Sequence, residues 1–164
     1  MTNVTLYTRQ NCHLCEDAKK AIQQSGVAVE LHEVDIDLDL DLLRRYNDHV
    51  PVIFIDGGEA FRHRVDASDF AALVRCIERG WRVVDGHHLE KETKFPDFAQ
   101  ALAFTNQVGA IAEEMQHHPD IELGWGRVKL TTWTHDANGL TKKDYALVEK
   151  IESLFGATKY AHHR

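Results

Sequence analysis

The stretch "AEEMQHHPDIELGWGRVKLTTWTHDANGLTKKD", residues 112–144, carries in order the signals of a helix end, strands, a turn and a second helix. Pro119 follows two adjacent histidines and predicts the end of the preceding helix. "IELGWGRVKLTTWTH" predicts one or two strands and "DANG" a turn, while Thr141 is suited to capping a final helix, with Asp144 as a weak capping-box partner. The stretch therefore predicts the second half of an α+β domain.

The residues before this stretch complete the same pattern back to Gly80. "WRVVD" and "HLEKETKF" predict two strands around a turn at Gly86, and a long helix should open near Pro96. Its apolar positions recur every three or four residues, which predicts one buried face made by Phe98, Leu102, Thr105, Val108, Ala112 and Met115. Strand, strand, helix, strand, strand, helix predicts an antiparallel sheet with helices on one face. We place this domain at residues 80–164.

Residues 1–79 follow a different order, typical of an α/β layer with partly parallel strands. Strands are predicted at "VTLYT", "VAVELHEVDI" and "PVIFI". Helices are predicted from His13 to Gln24, from Leu40 to Tyr46, and over "DASDFAALVRCIER", where Asp66 is a suitable N-cap. The chain is therefore expected to hold two domains of about 80 residues. Cores of that size are marginal, so a homodimer or homotetramer is expected.

Composition excludes several classes of function. Apolar content of 43% and charged content of 27% are ordinary for a globular protein. A net charge of −7 argues against nucleic-acid partners, and the sequence offers neither a membrane-spanning apolar run nor a signal peptide. Three cysteines, an odd number, fit a reducing compartment, so a cytoplasmic location is expected. His162 and His163, in the tail "KYAHHR", are expected to be surface residues.

The first domain carries a C-x-x-C motif in "YTRQNCHLCEDAKK", residues 7–20. Cys12 falls at the predicted start of a helix, where backbone amides and the nearby Arg9 should stabilise a thiolate. Cys15, one turn further on, would be the resolving cysteine. Cys76 lies on an apolar helix face and is expected to be buried.

Together with "HVPVIFIDGG", this motif resembles the glutaredoxin and thioredoxin-like superfamily over residues 3–78. The resemblance implies a thioredoxin-like fold, a redox-active centre at Cys12 and Cys15, a cis bond before Pro51 beside the cysteines, and a thiol partner or glutathione. "EAFRHRVDASDF" lacks the Gly-Asp pattern that usually holds the carboxylate of glutathione. A docking or dimerisation module that keeps its cysteines is the alternative. A zinc clamp would require a second cysteine pair.

Three histidines of the second domain are candidates for proton transfer. His117 and His118 are predicted in the last helical turn, about 100° apart around the axis. Chain reversal can bring His135, at the end of the last strand, back towards them. Three imidazoles suit general acid–base catalysis, which contributes about 10²- to 10⁴-fold in rate. The alternatives are histidines that only satisfy a helix terminus, and a zinc site, which adjacent histidines form poorly.

The second half closely resembles the pterin-4a-carbinolamine dehydratases. The family's motifs match His117-His118-Pro119, Thr134-His135-Asp136 and "GLTKKD", and the matches at Gly80-Trp81 and Phe95 to Phe98 extend the resemblance over residues 80–156. It implies a four-stranded antiparallel sheet with helices on one face, and dimers or tetramers. The implied reaction dehydrates 4a-hydroxytetrahydrobiopterin to quinonoid dihydrobiopterin and so recycles the pterin. No metal or other cofactor is implied.

The resemblance also assigns roles to residues. His117 and His135 become the acid–base pair, and His118 orients the substrate and assists proton transfer. The pterin should lie against Gln116, His117, His118, Trp133, Thr134, His135 and Asp136. Trp133 and Thr132 depart from the family pattern, and a tryptophan there could stack on the pterin or narrow its pocket. Two other functions compete: a thiol-disulfide oxidoreductase with this half as an oligomerisation platform, and a regulatory binding module.

Overall fold

A computed structural model describes residues 1–157, so the two histidines of the tail lie outside the described residues. The chain divides into two compact units. The first comprises Met1–Glu78 and Val83–Gly86, and the second comprises Arg79–Arg82 and the chain from His87 onwards. Within residues 1–157, no helix is both long enough and apolar enough to cross a membrane.

The first unit is an α/β layer around a mixed sheet. Its elements are β1 (Thr2–Thr8), α1 (His13–Gln24), β2 (Val29–Asp35), α2 (Leu40–Tyr46), β3 (Val52–Ile55), β4 (Gly58–Arg62) and α3 (Ala67–Glu78). The strand order is β2-β1-β3-β4, with β1 and β2 parallel and the other pairs antiparallel. The predicted partly parallel pairing is confirmed, and α1 and α2 have the predicted bounds.

Apolar residues of β1, β3 and α3 form the core of this unit, each at most 1% exposed: Val4, Leu6, Val52, Ile53, Ile55, Phe70, Leu73 and Val74. Burying one such large side chain contributes about 1.5–3 kcal/mol. Asp66 caps α3 as predicted, because its Oδ1 accepts the backbone N–H groups of Ser68 at 2.7 Å and Asp69 at 3.1 Å. Cys76 is buried, which confirms that expectation.

The strand β4 was not predicted from the sequence. It pairs antiparallel with β3 at the edge of the sheet, and the register shifts between Ile53 and Phe54. Only Ala60 of its five residues is buried, and Glu59 and Arg62 form an ion pair at 2.7 Å. An edge strand with few buried residues gives no period-2 apolar pattern to read.

The second unit is the predicted antiparallel sheet with helices. Besides β5 (Arg82–Val84), which begins in this unit and continues into Val83–Gly86, its elements are β6 (His88–Lys94), α4 (Phe98–Met115), β7 (Asp120–Gly124), β8 (Arg127–Thr132) and α5 (Lys142–Ala157). The strand order is β5-β6-β8-β7, and β8 pairs antiparallel with both β6 and β7. Alternate residues of β6 and β8 are buried: Leu89, Lys91, Thr93, Val128, Leu130 and Thr132. Thr132, the last residue of β8, therefore points into the core.

A buried ion pair joins β6 to α5. Lys91 Nζ lies 2.8 Å from Glu152 Oε2, and both side chains are at most 4% exposed. The indole N–H of Trp81 donates to the same carboxylate oxygen at 2.9 Å. Because breaking a buried pair leaves an uncompensated charge, these contacts fix α5 against the sheet.

The helix α4 differs from its prediction in its start and its buried face. Asp97 is the N-cap, with Oδ1 accepting from Gln100 N at 2.8 Å, so Pro96 precedes the helix instead of opening it. The buried face is formed by Ala101, Phe104, Val108 and Ala112. Phe98 and Leu102 were predicted on it but are 43% and 39% exposed. Apolar residues thus occupy two faces of α4, one buried and one exposed. The spacing of apolar residues alone does not show which of the two faces packs against the rest of the domain.

Candidate active site

The two adjacent histidines follow α4, and the prediction that they lie in its last turn is wrong. Gln116 adopts a left-handed conformation, with φ of 53°. Its N–H donates to Glu113 O at 3.3 Å, and the N–H of His117 donates to Ala112 O at 3.1 Å. This pair of bonds is the Schellman motif, which satisfies the last carbonyls of a helix. The helix therefore ends at Met115, and Pro119 is not its stop signal.

Asp144, in the first turn of α5, is the centre of the site. Its carboxylate is fully buried and accepts four hydrogen bonds. Oδ1 accepts from His117 Nε2 at 2.6 Å and from Thr132 Oγ1 at 2.6 Å. Oδ2 accepts from Thr134 Oγ1 at 2.8 Å and from the backbone N–H of Thr141 at 2.9 Å. One carboxylate thus joins the end of α4, the end of β8 and the start of α5.

These bonds determine which nitrogen of His117 carries a proton. An ionised carboxylate only accepts hydrogen bonds, so Nε2 of His117 must be the donor to Asp144. In the neutral ring, Nδ1 then carries a lone pair and can accept a proton. The side chain of His117 is only 12% exposed, so the ring is held in one orientation. This arrangement suits a general base whose charged form is stabilised by a neighbouring carboxylate.

The other two candidate histidines have different partners. His118 is 55% exposed, and its Nε2 lies 3.2 Å from Glu113 Oε1. His135 lies in a single 3₁₀ turn, His135–Ala137, just after β8. Its ring stacks on Trp133, with ring centres 4.5 Å apart and planes 7° apart. The hydrogen bonds of Asp144 reach the side chain of Thr134, the residue that precedes His135 in the sequence.

Three further residues of the predicted substrate site, Gln116, Thr134 and Asp136, are neighbours of these histidines in the sequence. Gln116 and Asp136 are exposed, whereas Thr134 is buried. The side-chain amide of Gln116 turns back to donate to Glu113 O at 2.6 Å. Among residues 1–157, no group of three or more His, Cys, Asp or Glu side chains is arranged to hold a metal ion.

The first unit carries a separate centre. Cys12 and Cys15 form a disulfide at the start of α1, and the backbone N–H of Cys15 donates to Cys12 Sγ at 3.2 Å. The Val50–Pro51 bond is cis. A cleft of about 280 Å³ lies beside the motif, lined by Leu14, Asp17, Ala18, His63, Arg64, Val65 and Asp66.

Arg9, expected to favour a thiolate at Cys12, is engaged elsewhere. Its guanidinium pairs with Asp37 at 2.6 Å and donates to Asn47 O at 3.1 Å. Hydrogen bonding to Asp37 raises the pKa of Arg9, and the same bond lowers the pKa of Asp37. The charge of Arg9 therefore orders the loops around β2 and α2.

Residues 63–154 match the family model Pterin 4 alpha carbinolamine dehydratase. This match covers more than half of the chain. The chain belongs to the pterin-4a-carbinolamine dehydratase family. Residues 3–75 match the model of a glutaredoxin-like domain, so the family domain is preceded by a glutaredoxin-like one.

Individual members of the dehydratase family align with the second half. A protein of Rubrobacter xylanophilus, provisionally named pterin-4-alpha-carbinolamine dehydratase, is 49% identical over 46% of this chain and 70% of its own length. A protein of Alkaliphilus metalliredigens with the same provisional name is 46% identical over 54% of this chain and 79% of its own. The crystal structure of a transcriptional coactivator/pterin dehydratase from Brucella melitensis covers 50% of this chain and 90% of its own, with 32% identity and a TM-score of 0.46.

The hydrogen bonds that centre on Asp144 in this dehydratase-family domain do not follow from the sequence. The sequence predicts Asp144 only as a weak capping-box partner and as the last residue of the "GLTKKD" motif, and Thr132 only as a departure from the family pattern. The carboxylate does reach back to the N–H of Thr141, as in a capping box, but it also holds His117. The aspartate in "GLTKKD" was the available signal, since it recurs in the family motif beside the histidines.

Proposed function

We propose that the chain dehydrates 4a-hydroxytetrahydrobiopterin to quinonoid dihydrobiopterin and water, and so takes part in pterin recycling. The observation that carries this proposal is the bond from His117 to the buried carboxylate of Asp144. Membership of the dehydratase family supplies the reaction class. The reaction requires two proton transfers and no covalent intermediate with the protein, and histidines are suited to both transfers.

His117 is the proposed base. With Nε2 donating to Asp144, its Nδ1 takes the proton from the pterin ring nitrogen. The imidazolium that forms is stabilised by Asp144, a carboxylate that four donors hold in place. The Thr132 and Thr134 hydroxyls keep this carboxylate oriented, so it need not reorganise during the reaction.

His135 is the proposed acid. It protonates the departing 4a-hydroxyl while the carbon–oxygen bond breaks, and the hydroxyl leaves as water. The electrons of the ring N–H bond form the new double bond of the quinonoid product. His135 is exposed on its turn, so it can regain a proton from solvent after each turnover. His118, exposed at the same chain segment as His117, orients the substrate together with Gln116, Thr134 and Asp136.

The test supplies chemically generated 4a-hydroxytetrahydrobiopterin and follows the absorbance of the quinonoid product. His117→Ala should lower kcat by about 10²- to 10⁴-fold, and His135→Ala should do the same. His32→Ala is the matched control, because His32 is an exposed histidine of the first unit. Equal rates for wild type and His117→Ala would refute the assignment of His117. A wild-type protein no faster than buffer would refute the function.

A second candidate function, thiol-disulfide exchange, is favoured by the Cys12–Cys15 disulfide at the start of α1. After a dithiol reduces the Cys12–Cys15 bond, the Cys12 thiolate would attack a partner's disulfide and release one of its sulfurs as a thiol. Cys15 would then attack the mixed disulfide, which releases the second thiol and re-forms the Cys12–Cys15 bond. Dithiol-linked reduction of a small disulfide such as glutathione disulfide should be lost in Cys12→Ser and unchanged in His117→Ala. Retained reduction in Cys12→Ser would exclude this activity at the motif.

A further inference from the structure

A second chain of hydrogen bonds, formed by two histidines at the start of β6, braces the turn that carries His135. His87 Nε2 lies 3.1 Å from Asn138 Oδ1, and His87 Nδ1 lies 3.1 Å from His88 Nδ1. Because an amide oxygen only accepts, Nε2 of His87 carries a proton and its Nδ1 accepts from His88. The N–H of Asn138 donates to His135 O at 3.1 Å. The start of β6 is thereby tied to the 3₁₀ turn.

Trp133 contacts the ring of His135 and also the rings of His87 and His88. One face of its indole is covered by His135, at 4.5 Å and 7°. The ring of His87 contacts the same indole at 5.4 Å and 39°, and the ring of His88 lies at 6.4 Å. Aromatic pairs of this kind contribute beyond simple burial and prefer defined geometries. An exposed histidine on a turn is thus held in one ring plane.

We propose that Trp133 is a positioning residue that acts through His135, with His87 as its support, and that it does not stack on the pterin. This role rests on the proposed dehydratase function. One face of the indole is already occupied by the ring of His135, at 4.5 Å and 7°. A displacement of about 1 Å at a catalytic group can cost about 10²-fold in rate, so fixing this ring has a direct effect on turnover.

The kinetic test compares Trp133→Leu with Trp133→Phe in the full chain. Trp133→Leu should lower kcat by about 10- to 10²-fold and change KM less than about threefold, because only a catalytic group is displaced. Trp133→Phe keeps an aromatic face and should retain most of kcat. Trp125→Leu, at a tryptophan that is 72% exposed, is the matched control and should behave as wild type.

A double-mutant cycle separates positioning from substrate stacking. In a His135→Gln background, Trp133→Leu should have little further effect on kcat, since the group it positions is already absent. Effects of the two changes that multiply, or a rise in KM with kcat unchanged, would overturn the proposal. His87→Ala gives a second variant that leaves Trp133 in place, and it should lower kcat in the same direction.

An NMR measurement tests the stack without any turnover. The ring protons of His135, assigned by their loss in His135→Gln, should be shifted upfield by the indole ring current. The shift should persist in Trp133→Phe with reduced size and disappear in Trp133→Leu. An unshifted His135 would overturn the positioning role even in an active enzyme. An inactive wild type with a shifted His135 would overturn the dehydratase function, and with it the proposed effect of Trp133 on turnover.

Discussion

Replacing Asp144 by asparagine keeps the size of the side chain but removes its charge and one acceptor oxygen. The carboxylate accepts hydrogen bonds from His117, Thr132, Thr134 and the N–H of Thr141. The backbone N–H of Thr141 can only donate, so the amide oxygen should stay on that side of the site. The NH₂ group then faces His117 and Thr132, whose bonds to a charged oxygen are replaced by bonds from a neutral amide. A bond to a charged group contributes about 1.5–3 kcal/mol and a neutral bond about 0.5–1.5 kcal/mol, so exchanging two of them should lower the free energy of unfolding by about 2–3 kcal/mol.

Urea unfolding followed by tryptophan fluorescence measures this change in the second unit. The three tryptophans of the chain are Trp81, Trp125 and Trp133, all beyond residue 80. Glu149→Gln is the matched control, because it removes the same charge from an exposed position of α5 and should change stability by less than about 0.5 kcal/mol. A decrease in the free energy of unfolding below about 1 kcal/mol in Asp144→Asn would refute the conclusion that charge-assisted hydrogen bonds to Asp144 stabilise the second unit.

The same variant should lower turnover more than stability alone explains. An asparagine NH₂ group can only donate to His117, so it selects the ring form in which Nε2 accepts and Nδ1 carries the proton. The proposed base is then blocked, and kcat should fall by about 10²- to 10⁴-fold under conditions where the variant is folded. Nitrogen NMR of His117 should show protonated Nε2 in the neutral wild-type ring. A protonated Nδ1 with free Nε2 in wild type would contradict the proposed roles.

Three further predictions concern other contacts. Thr134→Val should lower the free energy of unfolding by about 1–3 kcal/mol in the same urea assay, because it removes one donor to the buried carboxylate. If the exposed residues Phe98 and Leu102 of α4 join subunits, changing both to glutamate should convert an oligomer to a monomer by light scattering, and an unchanged mass would exclude that face. The hydrogen bond from Arg9 lowers the pKa of Asp37 in the folded protein. The stabilisation from this pair is therefore fully present above the pKa of Asp37 in the unfolded chain, about 3.9, and is lost as the pH falls through the lower pKa of the folded state. An NMR titration of the Asp37 carboxyl should have its midpoint below about 3.9, and the midpoint should rise in Arg9→Gln.

Local signals predicted most of the secondary structure. The helix α1 has the predicted bounds because its start at Cys12 and its apolar spacing are both local. The strand β4 was missed because its stability comes from pairing with β3, a contact that its own residues do not reveal. The fold class of both units followed from the order of strands and helices, which depends little on any single boundary.

The site was predicted less completely than the fold. Its histidines could be named from their motifs, but two partners of Asp144, Thr132 and His117, lie 12 and 27 positions away, and such partners appear only when the chain is folded. The stack of His135 on Trp133 could not be predicted either, because the spacing of two residues after a strand does not determine how their rings are oriented. The left-handed Gln116 was not foreseen, since that conformation usually belongs to glycine or asparagine.

The end of α4 at Met115 changes the physical meaning of the His-His-Pro motif. Because the helix has already ended, Pro119 acts on the residue before it, restricting His118 to extended backbone. Successive side chains of an extended segment point to opposite sides, whereas successive residues of a helix are only about 100° apart. His117 accordingly points inward to Asp144 with 12% exposure, and His118 points outward to Glu113 with 55% exposure. The motif therefore specifies one histidine held by the core and one facing solvent.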